Sequence, residues 1–164
     1  MATRSGNIDV TAAQSLQRGL GLSRGELQDY LNHQSGLLGI SGSSSDVRDL
    51  LELEAGGDKK AKLALKMYTF KIQQAIGQMA ASLGGVDALV FTGTVGERSA
   101  IIRQRVASRL MYLGLSVDPR INHNPDMGED AAIISPARYP AKVYVIHADE
   151  TSQMAASALQ FAKK

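Results

Sequence analysis

Residues 86–99 read VDALVFTGTVGERS, and this stretch decides how the rest of the chain is interpreted. Its first six residues are mostly apolar strand formers, and the next six include two glycines. An apolar spacing of three to four residues follows, which is typical of a helix and includes Ile101, Ile102, Val106, Leu110 and Leu113. The stretch therefore predicts a strand at 86–91, a loop at 92–97 and a helix after the loop.

A second unit of the same kind lies near the C-terminus. Residues 142–147 (KVYVIH) predict a strand, 148–150 a turn, and 151–162 a helix with four inward-facing residues, Met154, Ala155, Ala158 and Leu159. Because a right-handed crossover is the rule between such units, we expect the two strands to lie side by side and parallel. With a short strand expected at 131–135, the chain is predicted to be a helix-rich α/β protein with two or three core strands.

The first half of the chain is predicted to be helical. Ser23 and Glu26 have the spacing of a capping box, which predicts a helix from Ser23 onward. Apolar spacing predicts three further helices, at residues 9–18, 46–54 and 58–82. Residues 39–45 are small and polar, and they predict a flexible loop.

The composition argues against several classes of function. Eighteen Lys and Arg against sixteen Asp and Glu leave a net charge of +2, and the basic residues are scattered, so nucleic-acid binding is not favoured. There is no Cys, which excludes disulfides and thiolate metal sites. The first residues contain no apolar stretch of signal-peptide or membrane-spanning length, so we expect a cytoplasmic protein with no membrane partner.

The junction at Gly93-Thr94-Val95-Gly96-Glu97 is the most interesting position for chemistry. It lies where a strand is expected to end and a helix to begin, and the backbone N–H groups at such a place favour phosphates. The segment lacks both the Gly-Lys-Ser/Thr of a P-loop and the three-glycine dinucleotide spacing. The residues alone therefore leave two readings open, a phosphate or nucleotide site and a tight turn that needs glycine.

The same stretch resembles the acetate kinase signature, in which a strand ends in FTGGIGENS. Three other blocks of the sequence resemble family blocks in the same order: TRSGNID at 3–9, LNHQSGLLG at 31–39 and SSDVR at 44–48. The match extends over essentially the whole chain, so the chain resembles the acetate and propionate kinase family. This resemblance implies that the chain is the C-terminal portion of a ribonuclease-H-like domain of the actin-like ATPase type.

In that family, ATP donates its γ-phosphoryl group to the carboxylate of acetate or propionate, with Mg²⁺ present. The resemblance implies that Asp46, Val47 and Arg48 hold the adenosine. It also implies nucleotide contacts along the ribose and phosphates from Gly93, Thr94, Val95, Gly96, Glu97 and Arg98. Without the resemblance, Asp46 reads as a helix N-cap and Arg48 as a solvated helix residue.

Two residues depart from the family pattern in this segment. Thr94 stands where the family has the second glycine of FTGGIGENS, and Arg98 stands where the family has asparagine. A β-branched threonine does not readily adopt positive φ, so we expect strain or a displaced loop if the position requires it. Arg98 either pairs with a phosphate or is a solvated residue at the helix start.

Arg4 and Glu150 match family residues close to the chemistry. The resemblance implies that Arg4 neutralises charge on the transferring phosphoryl group, for which a planar guanidinium is suited, and that Glu150 lies near Mg²⁺. The alternatives are a surface arginine near a terminus and an acidic residue that opens the last helix. The three histidines read as structural or exposed: His33, His123 and His147, the last at a position that is usually proline in the family.

The resemblance begins at Met1, whereas the family has an N-terminal domain and part of a second domain before that point. It implies that residues 1–164 are a single, incomplete C-terminal nucleotide-binding domain, with a helical, adenosine-loop region at 1–57 and β-loop-α units at 58–164. Two functions stay open. The first is the nucleotide-side half of a carboxylate kinase that needs its missing N-terminal part, with ATP or ADP and a short-chain carboxylate as ligands. The second is a non-catalytic nucleotide-binding or dimerisation module, most simply a twofold homodimer.

Overall fold

The computed structural model describes residues 2–162, and the chain divides between Ile72 and Gln73 into two compact units. The first unit contains four helices and the beginning of a fifth: α1 (Val10–Leu20), α2 (Arg24–His33), α3 (Gly36–Ser41), α4 (Val47–Ala55) and α5 (Lys59–Leu83). The second unit contains the end of α5 followed by β1 (Ala88–Phe91), α6 (Gly93–Arg98), α7 (Ala100–Ala107), a 3-10 turn (Met111–Leu113), α8 (Pro119–His123), β2 (Ala131–Ile133), β3 (Lys142–Ile146) and α9 (Glu150–Ala162).

Side-chain caps set where the helices of the first unit begin. The capping box of Ser23 and Glu26 is formed in both directions, as predicted, and the Asp9 carboxylate caps α1. The predicted loop at 39–45 is wrong for its first three residues, because α3 continues to Ser41 and ends at Gly42 with φ of 68°. The unit is built around apolar side chains from α3, α4 and α5: Leu37, Val47, Leu50, Ala61, Ala64 and Leu65.

The second unit is built around a three-stranded sheet in the order β1-β3-β2. β1 and β3 are parallel neighbours, with Ala88 opposite Lys142 and Phe91 opposite Val145, which confirms the predicted pairing. β2 pairs with the other side of β3 in the antiparallel sense. Because β3 is central, its alternate residues Val143 and Val145 are fully buried.

Two helical predictions in the second unit need correction. The helix expected to carry apolar residues as far as Leu113 ends at Ala107, and a 3-10 turn follows that Gly114 closes in the left-handed conformation. The last helix forms as predicted, but its predicted inward-facing residues are all exposed: Met154, Ala155, Ala158 and Leu159. Periodicity identified an apolar face of α9, but it does not reveal whether anything covers that face.

No helix within residues 2–162 combines the length and the apolar character needed to cross a bilayer.

Candidate functional site

The carboxyl ends of β1 and β3 lie side by side, because the two strands are parallel neighbours. The segment after β1 is α6, and the segment after β3 is the turn 147–149 that leads into α9. Two parts of the sequence-predicted site, residues 93–98 and Glu150, therefore follow adjacent strands at one end of the sheet. This end of a parallel α/β sheet is where ligands commonly bind.

The segment after β1 is helical from Gly93 onward, so the predicted loop at 92–97 is wrong for all but Thr92. Gly93 has φ of 70°, a conformation that L side chains rarely adopt, and α6 runs from it to Arg98. Thr94 lies inside this helix, and within residues 2–162 no residue other than glycine has positive φ. Strain at Thr94 is expected only if its position requires positive φ, and that condition is not met, because the left-handed residue is Gly93, one position earlier.

Glu97 fixes α6 to the neighbouring turn. Its Oε1 accepts hydrogen bonds from the backbone N–H of Gly93 at 2.8 Å and from that of Ala148 at 3.1 Å. Its Oε2 lies 2.8 Å from Nδ1 of His147. The hydrogen bond from His147, followed by that from the Ala148 N–H, lowers the pKa of Glu97. Both oxygens of the carboxylate of Glu97, a predicted nucleotide-binding residue, therefore already have hydrogen-bond partners within the chain.

His147 is the residue that sequence reasoning undervalued. The sequence predicted a structural or exposed histidine, and the side chain is exposed. The prediction did not include its carboxylate partner, Glu97. Hydrogen bonding to Glu97 and the charge of that carboxylate raise the pKa of His147. The two residues are 50 positions apart in the chain, and only the pairing of β1 with β3 brings them together.

Arg103 supports the other end of α6 from within the core. It is 1% exposed, and its guanidinium donates to the backbone carbonyls of Gly96 at 2.8 Å and Glu97 at 2.7 Å. It also donates to Oδ1 and to the backbone oxygen of Asn122 at 2.7 and 2.6 Å. The sequence carried a signal for this role, because Arg103 shares the helical spacing of the buried residues Val106 and Leu110.

In the first unit, Asp46 and Arg48 form a tight local pair. Asp46 Oδ1 accepts from the Arg48 backbone N–H at 2.8 Å and caps α4, as predicted, while Oδ2 accepts from Nη2 of Arg48 at 2.6 Å. The hydrogen bond from the Arg48 side chain lowers the pKa of Asp46 to about 2. Both side chains are solvent-accessible, whereas the side chain of Val47 between them is buried in the core.

The loop before Asp46 is held by serine hydroxyls. Ser44 Oγ accepts from the Asp46 backbone N–H at 3.0 Å and donates to the Asp49 carboxylate at 2.7 Å. The buried Ser41 hydroxyl donates to the Ser44 carbonyl at 2.9 Å. This network fixes the backbone that leads into Asp46.

Arg4 projects from a segment that is hydrogen-bonded on both sides. The Thr3 hydroxyl donates to the carbonyl of Asn32 at 2.9 Å, and the Ser5 backbone N–H donates to the carbonyl of Leu31 at 2.8 Å. Arg4 itself is exposed, and within residues 2–162 its guanidinium has no hydrogen-bond or ion-pair partner. The backbone around Arg4 is therefore held by hydrogen bonds within the first unit, while the guanidinium is free to interact with a ligand.

Glu150 is the first residue of α9 and is exposed. The neighbouring Asp149 accepts a hydrogen bond from the Ser152 backbone N–H at 3.0 Å, so Asp149 serves the helix start and the Glu150 carboxylate has no partner among residues 2–162. In that same span, no three His, Asp or Glu side chains lie close enough together to hold a metal ion. One hard carboxylate oxygen nevertheless fits Mg²⁺, which is usually held by one or two carboxylates together with substrate phosphates and water.

The sequence model of the acetokinase family matches residues 1–156. The chain is 43% identical over 155 residues to the acetate kinase of Bacillus cytotoxicus, a match that covers 94% of this chain and 38% of that protein. It superimposes on the crystal structure of Porphyromonas gingivalis acetate kinase with a TM-score of 0.86 at 34% identity, covering 98% of this chain and 40% of the other. A propionate kinase from Francisella tularensis gives a TM-score of 0.82 at 36% identity, with coverages of 92% and 37%.

The chain spans about two fifths of the length of the curated relatives that it matches. The predicted fold class is confirmed, because the chain is a helix-rich α/β protein whose structural neighbours are acetate and propionate kinases, enzymes of the actin-like ATPase fold. The family match covers more than nine tenths of the sequence. The chain therefore belongs to the acetokinase family.

Proposed function

We propose that the chain supplies the nucleotide-side half of an ATP-dependent carboxylate kinase and is inactive unless the remaining part of the enzyme is present. The observation that carries this proposal is the acetokinase match over residues 1–156 by a chain with only about two fifths of its relatives' length. The reaction transfers the γ-phosphoryl group of ATP to a short-chain carboxylate and produces an acyl phosphate and ADP.

In this reaction, a carboxylate oxygen forms a bond to the γ-phosphorus while the bond from that phosphorus to the β,γ-bridging oxygen breaks. Negative charge then builds up on the transferring group and on the departing ADP. Arg4, exposed and without an internal partner, would stabilise the charge on the transferring group. Glu150 would contribute one oxygen ligand to Mg²⁺, which when bound neutralises phosphate charge.

The nucleotide itself would be held by the two predicted segments. Asp46 and Arg48 would hold the adenosine with polar side chains that are exposed, while the buried Val47 keeps that segment in place. Residues 93–98 would lie along the ribose and phosphates. Because the Glu97 carboxylate is occupied internally, this segment would act through its backbone and through the exposed side chains of Thr94 and Arg98.

The proposal is tested by measuring acyl phosphate formation, trapped as the hydroxamate, from ATP and acetate. The chain is assayed alone and after fusion to the preceding N-terminal part of the Bacillus cytotoxicus acetate kinase. We expect no product from the chain alone and clear activity from the fusion. Activity of the chain alone, or an inactive fusion that binds ADP normally, would contradict the proposal.

A non-catalytic dimerisation module is the second candidate, and it is favoured by exposed apolar side chains on α9. Met154, Leu159 and Phe161 are 65%, 62% and 79% exposed, which is unusual for three large apolar residues on one helix. Light scattering that shows a twofold dimer, together with an inactive fusion, would favour this second function.

Nucleotide binding by the isolated chain gives a direct prediction for Asp46. Asp46→Ala removes both the cap of α4 and the partner of Arg48, so we expect ADP affinity to fall by about tenfold or more, as for the loss of a charge-assisted hydrogen bond. Isothermal calorimetry with ADP measures the change. Asp9→Ala, which removes the equivalent side-chain cap from α1, is the matched control and should leave the affinity unchanged.

Thr94 gives a prediction of the opposite kind. Because Thr94 is helical and unstrained, Thr94→Gly should not tighten ADP binding, and it should lower helix stability by about a few tenths of a kcal/mol. Thr94→Ala, with better helix propensity, should stabilise the chain slightly. Calorimetry and thermal unfolding of the two variants test this, and a tenfold gain in ADP affinity for Thr94→Gly would show that the threonine obstructs the site.

A further inference from the structure

The Glu97 carboxylate joins two segments that follow different strands. On one side it accepts the N–H of Gly93, the residue that opens α6, and on the other side it accepts the N–H of Ala148 in the turn after β3. His147 contributes the only side chain that contacts this carboxylate within the described residues, with Nδ1 at 2.8 Å from Oε2. Glu97 is 16% exposed and His147 54% exposed, so the carboxylate is the more buried member of the pair.

We propose that His147 is a positioning residue for the segment Gly93–Arg98: its imidazole holds Glu97, and Glu97 in turn holds the first N–H of α6 and the turn that leads into α9. The proposal rests on the proposed function only in that this segment is taken to contact the nucleotide. Neither His147 nor the Glu97 carboxylate needs to touch the ligand. Their role is to keep the two segments at the ends of β1 and β3 in a fixed relation.

Beyond the hydrogen bond with Glu97, three acidic residues raise the pKa of His147 through their charges. Glu97 faces it from α6, Asp130 lies just before β2 and accepts the His147 backbone N–H through its carbonyl at 2.8 Å, and Asp149 follows in the same turn. A protonated imidazole is therefore favoured, and its interaction with Glu97 is a charge-assisted hydrogen bond.

The pKa shifts of His147 and Glu97 determine how the strength of their interaction depends on pH. The pKa of His147 is raised, so its contribution is complete below the ordinary imidazole value of about 6.5 and is lost as the pH rises through the raised value. The pKa of Glu97 is lowered, so its contribution is present above the ordinary carboxyl value and is lost as the pH falls through the lowered one. The two segments are therefore held most firmly between these limits, and the interaction weakens as the pH rises through the raised pKa of His147.

The test uses the full chain and three variants at position 147 or 97. His147→Ala removes the contact, His147→Asn replaces Nδ1 by an amide nitrogen that does not titrate, and Glu97→Gln removes the charge that His147 faces. NMR measures the imidazole pKa and the exchange protection factors of the Gly93 and Ala148 amides as a function of pH. Calorimetry measures ADP affinity in the same samples. His123→Ala, at an exposed histidine at the end of α8, is the control.

We expect the Gly93 protection factor of the native chain to fall by about three- to tenfold as His147 deprotonates, because the hydrogen bond to Glu97 then loses the charge of its donor. His147→Ala should show a value at or below the high-pH level of the native chain at every pH. His147→Asn keeps a neutral donor, so it should remove the pH dependence and match the native chain with a neutral histidine, and the control should behave as the native chain. Glu97→Gln should lower the imidazole pKa. ADP affinity should fall in parallel with the protection factor.

The proposal is overturned if His147→Ala leaves both protection factors unchanged, or if Glu97→Gln leaves the imidazole pKa where it was. A native chain that does not bind ADP would count against the proposed function, and the exchange data from the same sample would still decide whether His147 positions the segment. If His147→Ala lowered the protection factors of Gly93 and Ala148 but left the ADP affinity unchanged, the position of this segment would not affect nucleotide binding.

Discussion

Replacing Arg4 by alanine should lower acyl phosphate formation by the fused enzyme by about 10³-fold or more, with most of the loss in kcat. An arginine that stabilises the transferring phosphoryl group contributes about this much, but only when nucleotide, metal and acceptor are already aligned. The Arg4 side chain is exposed and has no partner within residues 2–162, so its removal should leave the folded structure intact. Steady-state kinetics of the fusion, with ATP and acetate varied separately, measures the effect.

Two further variants make the Arg4 experiment specific. Arg4→Lys keeps the charge but loses the planar fork that matches phosphate oxygens, so we expect it to recover only part of the activity. Arg24→Ala removes an exposed arginine from the start of α2 and should leave kcat unchanged. A fusion that retains native kcat after Arg4→Ala would assign the catalytic charge to another residue and refute the role that the family resemblance implies.

Replacing Arg103 by methionine should lower the free energy of unfolding by about 3–5 kcal/mol, because each buried acceptor left without a donor costs about 1–3 kcal/mol. Methionine fills much of the volume but donates to none of the four oxygens that Arg103 satisfies, on Gly96, Glu97 and Asn122. The two Asn122 oxygens would remain buried without this donor, and the carbonyls of Gly96 and Glu97 would remain partly buried without it. Urea denaturation followed by circular dichroism measures the change.

The matched control is Arg109→Met, which makes the same chemical change at an exposed arginine close by and should alter stability little. Arg103→Lys offers three donors from a single nitrogen, so it should be intermediate. If Arg103→Met were as stable as the native chain, the buried guanidinium would cost as much in desolvation as its hydrogen bonds return. The support of α6 would then have to come from the Glu97 side alone.

Local sequence signals predicted the helices of this chain well, because their causes are local. The capping box at Ser23 and Glu26 and the cap at Asp46 depend on atoms three residues apart or fewer, and both form as expected. The long helix α5 follows from an apolar spacing that extends over six turns and from the glycines that end it. The parallel pairing of β1 with β3 also followed, because the handedness of β-loop-α units leaves few alternatives.

The features that sequence reasoning missed depend on contacts between distant residues. Glycines at 93 and 96 indicated a loop, yet the segment is helical because Glu97 and Arg103 hold its two ends with side chains. His147 lies far from Glu97 in the sequence, so no spacing rule could connect them. Arg103 was overlooked because an arginine in a helix is usually solvated, and its place on the apolar stripe was the one available sign.

The order of the strands has a consequence for how the site region is assembled during folding. β2 and β3 pair across a short connection, from Ile133 opposite Tyr144 outward, whereas β1 must find Lys142 and its neighbours across a much longer stretch of chain. Closing the longer loop costs more conformational entropy, so the β2–β3 pair is expected to form early and to serve as the template on which β1 docks. Glu97 and His147 can meet only after that docking. The segments proposed to contact the nucleotide in the second unit are therefore completed last, and slow steps in refolding should appear there first.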